Sequence, residues 1–349
     1  MTAPSEQTKS AAPAQAAAPA ISGQAPTPLT GAQYVISAGD YRASVTQLGG
    51  GLRELTYRGH ALITSYQPDE LPPAGAGELL APWPNRIDGG RYEFGGATYQ
   101  LDLSEAGRGN AIHGLTRWAN WEPAQALAPS SAAEPAADGR ADRADEPDRV
   151  TLGHRLLGRP GYPFCLQLAI SYRLEASSGL HVTVSAWNTG SRPAPYGTGC
   201  HPYLTTGDQF VDGCELQVEA SHWLPADDRG IPSQPPQDVA GTPFDFRAGR
   251  RIDDTRLDHA LTGLTRDEAG LAWAQLAGEQ VKLGLWAGPG YDWLQLFTGD
   301  ALAPGMRRRA LAIEPMTCPA NAFVSGDGLL TLAPGDSVTH TWGIAVLQP

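Results

Sequence analysis

The sequence predicts an all-β protein of antiparallel strands, a sandwich or a barrel, and three observations predict it. Short segments rich in Val, Ile, Leu, Thr, Tyr and Trp recur between Gly, Pro and Asp turn signals. Period-two alternation of apolar and polar residues is clear, whereas helical periodicity is scarce. The 349 residues include 41 Gly and 30 Pro, more than a helical bundle uses, which implies many turns. This length allows two domains, but β-rich chains of about 200–300 residues often fold as one, so a single domain over 29–349 is expected.

Residues Met1 to Pro28 are rich in Ala, Pro, Ser and Gln and hold too few large apolar side chains to bury, which predicts a disordered tail. With no basic start followed by an apolar block, the tail does not read as a secretion signal. The segments YRASVTQ, LRELTYR, ALITSY and RYEFGGATYQL follow as strand material. From about Pro123 to Arg149 the chain contains APSSAAEPAADGRADRADEPD, which cannot bury itself and is expected to be a surface loop inserted between strands. CLQLAISYRLE, LHVTVSAWN and DSVTHTWGIAVL complete the set. In LHVTVSAW, Leu180, Val182 and Val184 share one face and His181, Thr183 and Ser185 the other. There is no convincing internal repeat.

Composition narrows the partners. Hydrophobic residues are 41% of the chain and charged residues 18%, ordinary globular usage, and the formal charge is −12. A nucleic acid or an anionic membrane surface needs a basic footprint that this chain lacks, so a neutral small molecule is the better fit. No apolar run reaches the roughly 18 residues of a membrane span. Cys165, Cys200, Cys214 and Cys318 lie far apart with no CxxC pair, against a zinc ribbon, a thioredoxin site or a disulfide framework. Reduced thiols and a cytoplasmic location are expected.

Four places hold polar residues that turn chemistry explains poorly: Asn85 and Arg86 in APWPNRI, His113 in NAIHGL, His201 in GCHPYL and Glu314 in LAIEPMTCPANAF. Glu314 is the most informative. It follows Leu311, Ala312 and Ile313 and precedes Pro315, which cannot donate to a ladder, so the carboxylate is expected at a sheet rim, at the mouth of a groove.

In order, the motifs NRI, G.Y.F.G..Y.L, IHG, HPY, LDH and EP resemble the aldose 1-epimerase (galactose mutarotase) family, over about Leu29 to Gln348. The segment NRIDGGRYEFGGATYQLDLSEAGRGNAIHG is the most specific part, with three spaced motifs in register. The resemblance implies a large antiparallel β-sandwich with the sugar in an open cleft across one sheet. It implies Glu314 as general base, His201 as general acid, and Arg86, His113 and Asp258 as holders of sugar hydroxyls, with Asn85 beside them. Gly199–Cys200 stands before His201 where many relatives carry a polar Asn pair, so sugar contacts on that strand differ.

The chemistry implied is anomer interconversion. A base removes the proton of the O1 hydroxyl while an acid protonates the ring oxygen O5; the ring opens, the aldehyde end rotates and the ring closes on its other face. One base and one acid suffice, no cofactor or metal is expected, and such groups are worth about 10²–10⁴-fold in rate. Arg86 offers a planar fork of donors and Asp258 an acceptor for vicinal hydroxyls, with Asp245 and Asp253 as competitors for that place. Trp83, Trp118, Trp286 and Trp293 are candidates to stack on a sugar face. The expected partner is a small sugar, for a monomer or homodimer.

Other readings use the same residues. The run Arg307, Arg308, Arg309 keeps a hexose 6-phosphate open as substrate. A non-catalytic carbohydrate-binding protein would use the same sandwich without needing Glu314 and His201 together. His113, His201 and Glu314 also match a two-His, one-carboxylate metal set, although no HxH or HxxxH pair is present. A glycosidase needs two facing carboxylates, and only Glu314 has a persuasive setting. A Cys200 nucleophile is disfavoured because His201, its neighbour on a strand, points to the opposite face. No GxSxG or phosphate-cradling glycine loop occurs.

Overall fold

Two large antiparallel sheets supply the walls of one hydrophobic core in the computed structural model, which describes residues 26–124 and 147–348. The larger sheet runs, in spatial order, Glu122–Pro123, Arg149–Leu156, Leu166–Glu175, Gly179–Asn188, Ser337–Gln348, Lys282–Ala287, Ala272–Ala277, Glu215–Val218 and Arg250–Arg251. The second runs Gln237–Asp238, Ala220–Leu224, Asp258–Leu264, Trp293–Phe297, Leu311–Met316, Gly199–Cys200 and Leu79–Leu80, with Tyr203–Leu204 also paired to Leu311–Met316. A four-stranded N-terminal sheet, Gln33–Ala38 to His60–Ala61, adds Ile36, Val45, Leu52 and Leu55 to the same core. The sandwich is therefore the architecture present.

Alternation builds the core. Leu180, Val182 and Val184 are fully buried, while His181, Thr183 and Ser185 between them are half-buried, as the period of two requires. From the second sheet Leu294, Leu296, Leu311 and Ile313 enter the same cluster. Removing each such side chain from water is worth roughly 1.5–3 kcal/mol, so the side chains between them are forced onto the opposite face of that sheet. That face carries the site.

Some elements differ from the expectation. RYEFGGATYQL is a hairpin, Arg91–Phe94 paired with Ala97–Gln100, whose turn residues Gly95 and Gly96 have φ of 58° and 78°, a combination suited to glycine. Of ALITSY only Ala61 lies in a strand, and Ile63 makes an isolated bridge to Leu204. Pro123 and Arg149 are strand residues, paired with Leu152 and Arg173, so the ladder extends into both ends of the segment read as an inserted loop. Residues 125–146 of that segment and residues 1–25 of the tail lie outside the described residues.

Glu314 does not end its strand. Leu311–Met316 is an interior strand of the second sheet, flanked by Trp293–Phe297 on one side and by Gly199–Cys200 and Tyr203–Leu204 on the other. Pro315 is tolerated because of where its nitrogen points. The amides of Ile313 and Thr317 donate to the carbonyls of Pro202 and Thr198, so the nitrogen of residue 315 faces the same neighbour, at the interruption between its two short strands. His201 and Pro202 form that interruption. The missing donor and the break in the partner strand coincide.

Candidate active site

On the outward face of the second sheet, Glu314 lies directly across from Gln295, which lies across from Ala260, and Asp258 is two cross-strand pairs further along on the same face, opposite Phe297. Apolar groups flank the row on both sides: Tyr66, Ala76, Tyr203, Ala310 and Ala312 form one cluster, and Leu224, Ala260 and Met316 the other. A cavity of about 350 Å³ opens here. Asn85, Arg86, His113, His201, Asp258 and Glu314, remote in sequence, all line it.

His201 reaches the cavity because the chain leaves the sheet at this residue. Cys200 before it packs in the core, and the imidazole takes the opposite side. Its backbone N–H donates to Glu78 O at 3.0 Å and its carbonyl accepts from Gly77 at 2.9 Å. Its ring stacks on Tyr203 with centroids 4.9 Å apart and meets the His113 ring edge-on at 5.4 Å. Nε2 stands 3.3 Å from Glu314 Oε1. Gly75, at φ 80°, passes so close that a Cβ there would press on both the imidazole and the Glu78 carboxylate at 3.3 Å.

Asn85 and His113 are held by an unusual backbone pair. Both adopt left-handed φ, 52° and 61°, a region where Asn and His are among the most tolerated non-glycine residues. The His113 N–H donates to Asn85 O at 2.8 Å, and the Asn85 N–H donates to His113 Nδ1 at 3.2 Å. Burial, reinforced by His201, holds His113 well below the usual imidazole range, so it is neutral. With Nδ1 accepting, the proton sits on Nε2, and the ring is a hydrogen-bond donor.

Arg86 has less freedom than its fork suggests. Nε and Nη2 are bound bidentately by Glu105 at 2.8 and 2.9 Å, and Nη1 reaches Asn85 Oδ1 at 3.3 Å. The relay continues, since Asn85 Nδ2 donates to Gln295 Oε1 at 3.3 Å and Gln295 Nε2 donates to Asp258 Oδ1 at 2.9 Å. Arg86, Asn85, Gln295 and Asp258 thus form one continuous row of donors and acceptors along the cavity. Gln295 and Glu105 were not singled out in the sequence. The signal for Gln295 was present: one polar residue between Leu294 and Leu296 in WLQLF, in phase with neither core position. Gln295→Leu is expected to release Asp258 and raise KM about tenfold with kcat within about threefold, because a ground-state contact is lost; steady-state kinetics would check it.

Burial acts on both members of the closest pair in the same sense, toward the uncharged form. It pushes the Glu314 carboxyl well above the usual range, with Asp258 adding to the rise and Arg86 opposing it. It pushes His201 down to about 3, helped by the charge of Arg117 and then of Arg86. Glu314 Oε2 and His201 Nδ1 have no protein partner. Glu78, whose backbone carbonyl holds His201, is itself buried and pushed up to about 7, and its carboxylate is ion-paired to Arg117.

Other sequence candidates lie elsewhere. Arg308 is committed to Asp212 and Asp300, Arg309 lies over Phe210, and the triple-arginine run does not line the cavity. Asp245 pairs with Arg247 and Asp253 with Arg251, leaving Asp258 as the one of the three at the site. Trp83 and Trp286 are buried, Trp293 packs against the Leu224 cluster, and Trp118 is exposed. Among the described residues no three His, Cys, Asp or Glu side chains are grouped to hold a metal ion, Cys165, Cys200, Cys214 and Cys318 are free thiols, and no helix is long and apolar enough to cross a membrane.

Comparison with known proteins bears on the family and the fold. The family model described as aldose 1-epimerase matches residues 32–345. The Escherichia coli K12 protein YihR, described as uncharacterized, is 35% identical over 307 residues, covering 88% of this chain and 90% of its own. Two crystal structures share the fold. The GalM/aldose epimerase homologue of C. elegans superimposes with a TM-score of 0.75 at 20% identity, covering 91% of this chain and 99% of that one. Galactose 1-epimerase from Lactobacillus acidophilus NCFM gives 0.69 at 22% identity, covering 89% and 92%. With its family model spanning nearly every described residue, the chain belongs to the aldose 1-epimerase family.

Proposed function

We propose that this protein interconverts the α and β anomers of a free hexose, with Glu314 and His201 moving the protons. The observation that carries the proposal is the 3.3 Å approach of His201 Nε2 to Glu314 Oε1 inside a cavity lined by hydroxyl-binding groups. O1 and O5 are bonded to the same carbon, so two groups this close can bracket both.

The proton inventory supports the same reading. Burial drives both groups toward neutrality, which leaves one proton on the carboxyl and a neutral imidazole. Transfer of that proton from Oε1 to Nε2 gives carboxylate and imidazolium, the state matched to a closed ring: Glu314 takes the O1 proton and His201 gives one to O5. After ring opening the pair is again carboxyl and neutral imidazole. The two protonation states of one buried pair therefore correspond to the closed and open forms of the sugar, and ring closure on either face returns the pair to its starting state. His113 as an Nε2–H donor, the free face of Arg86 Nη1 and the Asp258 carboxylate would hold the remaining hydroxyls. A location in the cytoplasm suits the free thiols.

The pH dependence follows with its sign. The active pair carries one proton; a second proton on His201 leaves no base. Because His201 is held at about 3 in the free protein, kcat/KM is expected to stay level as pH falls from about 7 to about 5 and to drop only on approach to pH 3. A fall centred near the ordinary imidazole value would contradict a neutral His201. The activity itself is tested by polarimetry of freshly dissolved α-glucose and α-galactose, with glucose 6-phosphate in parallel. The protein should speed the drift of optical rotation of at least one free hexose beyond buffer; binding without acceleration would leave a carbohydrate-binding protein.

A further inference from the structure

Residues 227–231 form a tight turn after the strand Ala220–Leu224. The Asp227 carboxylate accepts from the N–H groups of Arg229 and Ile231 at 2.9 Å each, and the Asp227 carbonyl accepts from Gly230 at 2.8 Å, so the aspartate fixes the backbone around it. Two residues of this turn reach the Arg86 assembly. The Arg229 guanidinium gathers four acceptors: Nε donates to Arg108 O at 2.9 Å, and Nη2 to Asp88 Oδ1 at 2.6 Å, Asn110 Oδ1 at 3.0 Å and Gly109 O at 3.3 Å. Asn110 is fully buried, and its Nδ2 donates both to Arg229 O at 2.9 Å and to Glu105 Oε2 at 3.1 Å. Glu105 is the carboxylate that holds the Arg86 fork. One chain of hydrogen bonds therefore runs from Arg229 through Asn110 and Glu105 to Arg86.

Gly230 meets Arg86 directly. Its φ of 75° lies in the left-handed region, and a Cβ there would stand 2.7 Å from Nη1, 3.0 Å from Cζ and 3.1 Å from Cδ of Arg86. Only bare backbone fits against the guanidinium. Arg86 lines the cavity whereas Arg229 and Gly230 do not, so the turn supports the guanidinium from outside. We infer that this turn is a positioning element for the sugar site: Gly230 and Arg229, with Asn110, fix the plane of Arg86 so that Nη1 meets a sugar hydroxyl, a role that rests on the proposed function for what Arg86 does there. A guanidinium is a planar fork, so it selects the geometry of its acceptor only when the plane itself is held. Holding it before the sugar arrives also removes the ordering cost from the binding step.

Gly230→Ala, with Gly241→Ala as its control, tests this on the full chain by calorimetric titration with glucose and galactose and by initial anomerisation rates. Gly241, further along the chain, has φ of 73° and would place a Cβ in open space, so alanine brings the same backbone strain there without touching Arg86. Gly230→Ala is expected to weaken binding of the preferred sugar about tenfold and to raise KM alike, with kcat within about threefold, whereas Gly241→Ala should match wild type in both. Arg229→Met keeps the stem and loses every donor; it should weaken binding in the same direction, and it decides alone if Gly230→Ala does not fold. In an Arg86→Lys background, which has no fork to displace, Gly230→Ala should add nothing further. Gly230→Ala or Arg229→Met binding like wild type, equal losses in Gly230→Ala and Gly241→Ala, or a Gly230→Ala loss undiminished in Arg86→Lys would overturn the positioning role and leave the proposed function standing. Sugar binding that depends on Gly230 without turnover by wild type would keep the positioning role and remove the proposed function, and wild-type protein that binds neither sugar would overturn both.

Discussion

Glu314→Gln is expected to lower kcat for anomer interconversion by about 10²–10⁴-fold, with KM within about threefold. The amide keeps the shape of the carboxyl and still fits between the two apolar clusters, but it cannot take the O1 proton. Stability should move the other way. Glu314 has a folded-state pKa raised by burial, so the folded protein binds its proton more tightly than the unfolded chain, and stability falls as pH rises above the unfolded carboxyl value. The amide has no such dependence. Thermal unfolding of Glu314→Gln should therefore match wild type near pH 4 and lie above it at pH 8, a gain in stability bought by loss of function. A variant that is both inactive and destabilised at pH 8 would instead point to a structural role for the carboxylate.

His201→Asn is expected to cost about 10²–10³-fold in kcat, and the double variant with Glu314→Gln little more than the worse single one. The two residues share one proton across 3.3 Å, so removing either disables the transfer that both perform. Independent contributions would multiply. Initial rates of the two single variants and the double variant, corrected for buffer catalysis, form the cycle that decides between these outcomes. The Asn side chain also leaves Glu314 without its proton acceptor, so the level acid side of the wild-type pH profile should be lost in this variant.

Much of the site was legible because it is built from residue types that are costly to place where they stand. Glu314 follows Leu311, Ala312 and Ile313, and the sequence flagged it as a carboxylate closing an apolar strand at a sheet rim, although the strand runs on to Met316. What one strand's sequence could not convey was its neighbour. Pro315 reads as an end to pairing, yet the break lies in the partner strand at His201 and Pro202, and pairing of Leu311–Met316 continues on its other edge through Met316. Only the sheet order reveals that the missing N–H and the diverted chain face each other. The same holds for Arg86, whose fork is taken by Glu105, and for Gln295, which lies 210 residues from Asn85 in the chain and joins it to Asp258. Local pattern identifies which side chains are out of place; pairing between distant segments decides what they touch. The long strands were readable from alternation alone, whereas ALITSY carries the composition of a strand without the neighbours to complete one.

Anomer interconversion here turns on one event, proton exchange between the buried Glu314–His201 pair and the two oxygens of a single anomeric carbon. Magnetisation-exchange NMR on equilibrated glucose or galactose labelled at C1 observes it without any coupled reaction. With catalytic amounts of wild-type protein at pH 7, cross-peaks between the α and β C1 resonances of at least one of these sugars should grow at a rate proportional to protein concentration, and Glu314→Gln at the same concentration should leave the buffer rate. Exchange no faster than buffer for both sugars with wild-type protein, or equal enhancement by Glu314→Gln, would contradict the account.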